Sequence, residues 1–206
     1  VIEGHLDTFA AEDHVDVVLS SCRALGRKYH FEAEHAETVL ELSRQLFDAT
    51  SDMHALGPRA RVLLEAAALL HDIGVAVSND GHHKHSHYLI VASELVGLTD
   101  EERQLVAMLA RYHRKAAPSR EHEDFANLRR KDRALVERLA AILRVADALD
   151  RQHTSAIRTI QTRIEQDSVQ IRPILSAQAS SSLTLERRAV TDKGQLFAQV
   201  FGGVYW

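Results

Sequence analysis

Residues 58 to 74 read PRARVLLEAAALLHDIG. Pro58, following Gly57, suits the first turn of a helix, where a missing N–H leaves no intrahelical hydrogen bond unmade. Val62, Leu63, Ala66, Ala67, Leu69 and Leu70 then leave almost no polar face. A helix that is apolar nearly all round belongs at the centre of a bundle. His71 and Asp72 stand where this helix should stop, and Gly74 is expected to close it as a left-handed cap.

Outward from this segment, helical periodicity recurs on both sides. Residues 1–12 read as a lead-in or linker, with Asp13 a suitable N-cap ahead of Val15, Val18, Cys22, Leu25 and Tyr29. His35, Val39, Leu42 and Leu46 form a stripe that predicts a helix over about 32–49. After the polar loop Ser78-Asn79-Asp80-Gly81, a helix is expected over about 85–96. Thr99-Asp100-Glu101-Glu102 is a capping box opening a helix through Leu105, Met108, Leu109 and Tyr112. Leu135, Leu139, Ile142, Leu143 and Ala146 predict another over about 131–150. Beyond about residue 155, IRTIQTRIE and SVQIRPIL alternate apolar and polar residues and predict a hairpin turning at Gln166-Asp167. SLTLERRAVTDKGQLFAQVFG reads as a closing helix. The expected plan is mainly α: a helical domain over 13–155, then a small ββα tail over 156–206.

Composition narrows the partners. A chain of 206 residues, 45% hydrophobic and 26% charged, suits one substantial domain. Its formal charge of −4 supplies no basic field, so no nucleic-acid partner is expected, and RRKDR (129–133) reads as a solvated helix entry. No apolar run is long enough to span a membrane, and the acidic start is not a signal peptide, so no membrane partner is expected either. The single cysteine, Cys22, sits on an apolar stripe and reads as a buried thiol. It excludes an intrachain disulfide and a cysteine-based zinc site, and fits a cytoplasmic location. The chain opens on Val1 rather than methionine, which points to a piece of a longer protein.

Polar side chains fall on faces that should be buried. His35 lies on its apolar stripe, His71-Asp72 ends the central helix, and His85 starts the helix after the loop. His113 ends the capped helix, and Asp147 follows Val136, Ala140 and Leu143 at helical spacing. Isolated, such groups would each cost several kcal/mol to bury, about 3–5 for an unpaired charge. A shared divalent cation would offset these costs together. Imidazole and carboxylate donors suit Mn, Fe, Ni, Co or Zn, and the donor set suits an ion that activates water. One ion would take His35, His71, Asp72 and Asp147, and a second His85 and His113, with Asp72 bridging. The plain alternative is a set of unrelated core and surface residues.

The ordered series His35, His71-Asp72, His85, His113, Asp147 resembles the signature of the HD metal-dependent phosphohydrolases. HHKHSHYLI (82–90), ARYHRKAAP (110–118) and LAAILRVADALDR (139–151) are similar to the C-terminal HD region of the exopolyphosphatase/guanosine pentaphosphate phosphohydrolase (Ppx/GppA) family. The resemblance covers about residues 13–206 and implies an HD-type helical bundle. It further implies hydrolysis of a phosphoester or phosphoanhydride in a phosphorylated small molecule or polyphosphate, with one or two divalent transition-metal ions, and a possible homodimer. Asp72 would then be catalytic, and His82 or His83, at the mouth of the site, would replace or assist His85 as a ligand or act as a proton shuttle. Lys84, Arg114 and Lys115 are candidates for phosphate contacts, with solvated surface charge the alternative. Some HD phosphodiesterases carry a lysine where this chain has Val75, so their proton-donor arrangement is not matched. His83 and His87 read as surface residues, and His153 has no organised context.

Full-length members of that family carry polyphosphate hydrolysis on an N-terminal half of actin-like ATPase fold, and no Gly-rich phosphate loop of that sort is present here. Two functions therefore stand open. One is a catalytic phosphohydrolase; the other is a non-catalytic, dimerising, polyphosphate-binding accessory domain. A helical transcriptional or signalling adaptor lacks the basic recognition helix it would need.

Overall fold

Alanine and leucine, both strong helix formers, carry the chain through a series of helices that pack their apolar faces together. The computed structural model describes residues 3–165, 168–177 and 182–206, with side chains described from residue 13 onward. Helix α1 spans Glu3–Lys28, α2 Ala33–Ala49, α3 Ser51–His54 and α4 Pro58–Leu70. Helices α5 (His82–Val91), α6 (Asp100–Tyr112), α7 (Glu123–Ala126) and α8 (Arg130–Leu149) complete the bundle. The first helix begins ten residues before Asp13, so Asp13 lies inside it rather than capping it. No proline interrupts 3–12, and Ala10, Ala11 and Glu12 are good helix formers.

Helix α4 is the buried post its sequence describes, with every residue from Val62 to Leu70 at most 5% exposed. The one acid among them, Glu65, is satisfied by Arg44 at 2.9 Å and Arg61 at 3.0 Å. The last turns of α8, from Leu139 to Leu149, are equally enclosed. The capping box at Thr99 is present in both directions: Glu102 N–H donates to Thr99 Oγ1 at 3.2 Å, and Thr99 N–H donates to Glu102 Oε2 at 2.9 Å.

Gly74 does not adopt a left-handed cap; it lies within a short 3-10 turn, Ile73–Ala76. Its reason for being glycine is close approach. A Cβ there would collide with the His82 carbonyl oxygen and the Ser86 amide, both backbone atoms of α5. The Gly74 N–H donates to Ser86 Oγ at 2.9 Å, which pins the first turn of α5 against the His71-Asp72 segment.

The tail is richer than ββα. Strands β1 (Ile157–Glu165) and β2 (Ser168–Leu175) pair antiparallel, with Glu165 opposite Ser168; the turn expected at Gln166-Asp167 lies outside the described residues. The expected single closing helix is two, α9 (Thr184–Lys193) and α10 (Gln195–Phe201), separated at Gly194. A third strand, β3 (Gly203–Tyr205), then runs parallel to β2. Gly194 leaves no room for a Cβ, which would meet Val204 Cγ1 at 2.6 Å. The tail is anchored to the bundle at Gln45, whose Oε1 accepts from Thr159 Oγ1 at 2.7 Å and Ile160 N–H at 2.8 Å. Arg144 of α8 reaches the Lys193 carbonyl at 3.4 Å. These contacts hold the end of α9 over the cleft described next.

Candidate metal centre

Four helix ends deliver imidazoles to one point. His35 lies in the first turn of α2, His71 follows the last residue of α4, His82 opens α5 and His113 follows the last residue of α6. All four are at most 7% exposed. Each ring has a carbonyl or carboxylate oxygen within hydrogen-bond distance of Nδ1, and at His82 the Arg114 Nη1 also lies 3.2 Å from that nitrogen. His71 donates to the Ala68 carbonyl at 2.8 Å, His113 to Ala110 at 2.7 Å and His82 to Asn79 at 3.0 Å. His35 donates to Asp150 Oδ2 at 2.8 Å. With the proton on Nδ1, His71 and His113 turn their Nε2 lone pairs inward, as metal-bound histidines held by an outer partner do.

The four Nε2 atoms surround Asp72. Asp72 Oδ2 lies 3.6 Å from His71 Nε2 and 4.0 Å from His35 Nε2. Asp72 Oδ1 lies 3.1 Å from His82 Nε2 and 3.4 Å from His113 Nε2. Asp147 Oδ1 completes the first side, 3.8 Å from His35 Nε2. Two sets of donors flank the Asp72 carboxylate: His35, His71 and Asp147 on one side, and Asp72, His82 and His113 on the other, each within 4.8 Å mutually; a third such group, His35, Asp72 and His153, overlaps them. The nitrogens of His35 and His71 are 3.2 Å apart, and those of His82 and His113 are 3.4 Å apart. Ligands at about 2.1 Å from one ion stand roughly 3.0–3.4 Å from each other.

The electrostatics agree with this donor set. Asp72 Oδ1 is buried and has no hydrogen-bond partner, although two ring nitrogens stand nearby. Burial pushes His71 down from the ordinary histidine value and takes His113 to about 3, so both rings are neutral donors. Burial opposes ionisation of Asp72, but the facing imidazoles prevail and hold it well below the usual carboxylate range. Burial also opposes ionisation of Asp147, and Lys193 prevails there. His35 is raised: burial alone would lower it, but its hydrogen bond to Asp150 and the charges of Asp147 and Asp72 outweigh that. An orphaned carboxylate oxygen amid tethered imidazoles fits a divalent ion of the borderline, nitrogen-and-oxygen-binding kind.

His85 is not in either set. Helix α5 starts at His82, three residues earlier than the sequence suggested. Its buried stripe runs through His82, Ser86, Leu89 and Ile90, which leaves His85 to one side, beside Gly74. His82 takes the place expected of His85. Arg114 lies against His82, with Nη1 3.0 Å from Nε2, and lines the cleft of about 640 Å³ above Asp72. Lys84 and Lys115 are exposed and line a neighbouring pocket instead, which Arg114 shares.

Three residues of the site escaped the sequence reading. Asp150 orients His35 and also accepts from the Ser155 N–H at 2.8 Å. Its signal was available, since it falls one helical turn after Asp147. His153 stacks on His35 with ring centroids 3.6 Å apart and donates to Glu32 at 2.7 Å. Lys193, at the end of α9, places its ammonium on Asp147 Oδ2. Nothing local in the sequence marks either of the last two, because a tertiary contact brings each to the cleft.

A mainly helical bundle with clustered His and Asp donors at one end defines the class. Residues 17–191 match the family model described as Ppx/GppA phosphatase, domain III, and the chain belongs to that family. It is similar to a guanosine-5'-triphosphate,3'-diphosphate pyrophosphatase of Aliivibrio fischeri, 32% identical over 102 residues, which is 50% of this chain and 20% of that protein. The protein of the same description from Pseudoalteromonas atlantica is 30% identical over 119 residues, 57% of this chain and 23% of its own length. For the one from Photobacterium profundum the values are 28% over 131 residues, 63% and 26%. The chain thus spans about a fifth to a quarter of these curated relatives. Among the described residues, no helix is long and apolar enough to cross a membrane.

Proposed function

We propose that this domain is an HD-type, metal-dependent phosphohydrolase that cleaves a phosphoester or phosphoanhydride bond of a nucleotide or polyphosphate. The observation that carries the reading is the Asp72 carboxylate, one oxygen of it buried without a hydrogen-bond partner, ringed by four imidazole Nε2 atoms. Bound divalent ions would supply Lewis-acid polarisation of a phosphoryl oxygen and a water acidified toward neutral pH. The chain's own part is to hold and neutralise. Asp72 faces both donor sets and would bridge them. His82 presents Nε2 to Asp72, which favours a ligand over a proton shuttle. Arg114 is positioned to hold a phosphoryl oxygen in the cleft, as guanidinium groups commonly do. Lys193 offsets the charge of Asp147 and adds a second cation beside the reacting phosphorus.

The pyrophosphatase names of the relatives support phosphoryl chemistry in the family. The accessory-domain reading is favoured by one fact: the match covers only 20–26% of those relatives, so their activity can reside elsewhere. Metal analysis of the purified chain, followed by a panel of phosphomonoesters, phosphodiesters and nucleoside polyphosphates with Mn2+, Co2+ or Ni2+, separates the two. Metal-dependent turnover lost in Asp72→Ala supports the catalytic reading. Metal bound without turnover of any phosphoester leaves the accessory reading.

A further inference from the structure

One imidazole in the wall of the cleft belongs to neither of the two main donor sets: His153. One of its ring nitrogens lies within 4.8 Å of both an Asp72 oxygen and a His35 nitrogen. Its ring is stacked on that of His35, with centroids 3.6 Å apart and planes only 5° from parallel. The lone pairs of two parallel rings run side by side and do not converge on one ion. His153 therefore stands beside the ion that His35 would hold, without being a ligand to it.

The chain is built to keep this ring in place. His153 lies in a strap, residues 150–155, that follows α8 and holds two non-glycine residues at left-handed φ, His153 at 54° and Ser155 at 49°. Backbone of that kind costs on the order of 1–3 kcal/mol per residue and persists only where its surroundings enforce it. Here they do. The His153 N–H donates to the Asp150 carbonyl at 3.0 Å, and the Ser155 N–H donates to Asp150 Oδ1 at 2.8 Å. Ser155 Oγ and Thr38 Oγ1 of α2 are 2.8 Å apart. Buried Glu186 of α9 accepts from the N–H of Gln152 at 3.1 Å and from its side-chain amide at 3.0 Å. Glu32, just before α2, accepts from His153 Nδ1 at 2.7 Å. Nε2 is the nitrogen left for the cleft.

An imidazole with a carboxylate on Nδ1 and no protein partner on its second nitrogen is arranged to accept a proton from an attacking water. His82, the other candidate for that task, faces Asp72 as part of a donor set. We propose that His153 is a further catalytic residue, the acceptor for the attacking water, and that Glu32 positions it. The role rests on the phosphohydrolase reading above. As the water oxygen bonds to phosphorus, the bond from phosphorus to the leaving oxygen breaks, and its electron pair goes with that oxygen. The water proton passes to Nε2, the Nδ1 proton stays hydrogen-bonded to Glu32, and the imidazolium then returns a proton to the departing oxygen or to solvent. Asp72 Oδ2 faces His35, and Oδ1 faces His82, against which Arg114 lies, so water and phosphoryl oxygens are held from opposite sides.

The test compares the full chain with His153→Asn, Glu32→Gln and the double variant, each stripped by chelator and reloaded with Mn2+. Asparagine tolerates a left-handed φ, so the strap keeps its path while the imidazole is removed. Glu32 has a side chain 58% exposed, and glutamine keeps its size. By calorimetric titration, Mn2+ affinity should stay within about fivefold of the parent in every variant, the change expected from an exposed charge pair. On whichever phosphoester or phosphoanhydride the parent cleaves, kcat should fall about 10²-fold in His153→Asn and about tenfold in Glu32→Gln, with KM little changed. The double variant should be no slower than His153→Asn, because Glu32 acts only through the ring. A parental kcat in His153→Asn overturns the proposal, and so does a fall in its Mn2+ affinity as large as the fall in kcat, which would make His153 a ligand. Additive losses in the double variant remove the positioning role of Glu32. A parent that turns over no phosphoester or phosphoanhydride contradicts the phosphohydrolase reading itself, and the role of His153 falls with it.

Discussion

The two donor sets that meet at Asp72 are braced very differently. On the His35, His71 and Asp147 side, His71 rests on the Ala68 carbonyl, but the rest of the second layer is made of side chains. Asp150 holds His35, His153 stacks on it, and Lys193 sits on Asp147. On the His82 and His113 side, the second layer is backbone carbonyl, from Ala110 and from Asn79 in an exposed loop. A carboxylate partner raises the basicity of a ligating imidazole and fixes its ring more firmly than a loop carbonyl does. The first set therefore suits a tightly held ion, and the second, open to Arg114, suits one that is exchanged with the ligand.

Asp72→Ala should have the largest effect, because it removes the group common to both sets. We expect loss of bound metal from both, by elemental analysis, and a fall in any phosphohydrolase rate on the order of 10²–10³-fold or more. Single-side variants come next and divide the sets. His82→Ala should reduce the number of bound ions from two to one and spare the tighter one, whereas His71→Ala should remove the tighter one. Equal losses in both variants would break the distinction drawn between the two sides.

Asp150→Asn keeps the size of the side chain but weakens its hold on His35; a drop of about 10–100-fold in affinity for the tighter ion is expected by titration. Lys193→Ala should act in opposite directions on cation and anion. Removing the ammonium should tighten divalent-metal binding and weaken orthophosphate binding, each by about three- to tenfold at the effective dielectric of such sites. A merely structural lysine would weaken both together.

Remote from both sets, Glu102 gives the smallest effect. Arg59 and the Thr99 N–H hold its carboxyl down to about 2, so its stabilisation is fully present above the ordinary glutamate range. It is lost as the pH falls through about 2. The Tm gap between the parent and Glu102→Gln should therefore be constant above pH 5 and close on acidification, as read by thermal denaturation. It should stay within about 1 kcal/mol, since the pair is partly exposed. Metal affinity should not change.

How much of this the sequence disclosed follows from the range over which each residue acts. The α4 post, the Thr99 box and the positions of His35, His71, Asp72, His113 and Asp147 depend on helical periodicity and helix ends, which are local. The choice between His82 and His85 depended on where α5 starts, and Gly81, with its φ of 70°, starts it earlier than the apolar pattern suggests. Gly74 is not the left-handed cap expected of it, since α4 ends at Leu70 and the constraint on Gly74 comes from α5 rather than from its own φ. The division of the closing segment at Gly194 and the pairing of β3 reflect packing of Val204, which no local pattern announces. His153 and Lys193 reach the site only through contacts with His35 and Asp147, far away in sequence.

The proposed bridging role of Asp72 is tested most directly by counting bound ions. Titrating Mn2+ into the chelator-stripped chain should reveal two binding events of unequal affinity, with only the tighter one surviving in His82→Ala. No binding to the parent, or binding that persists unchanged in Asp72→Ala, would contradict it.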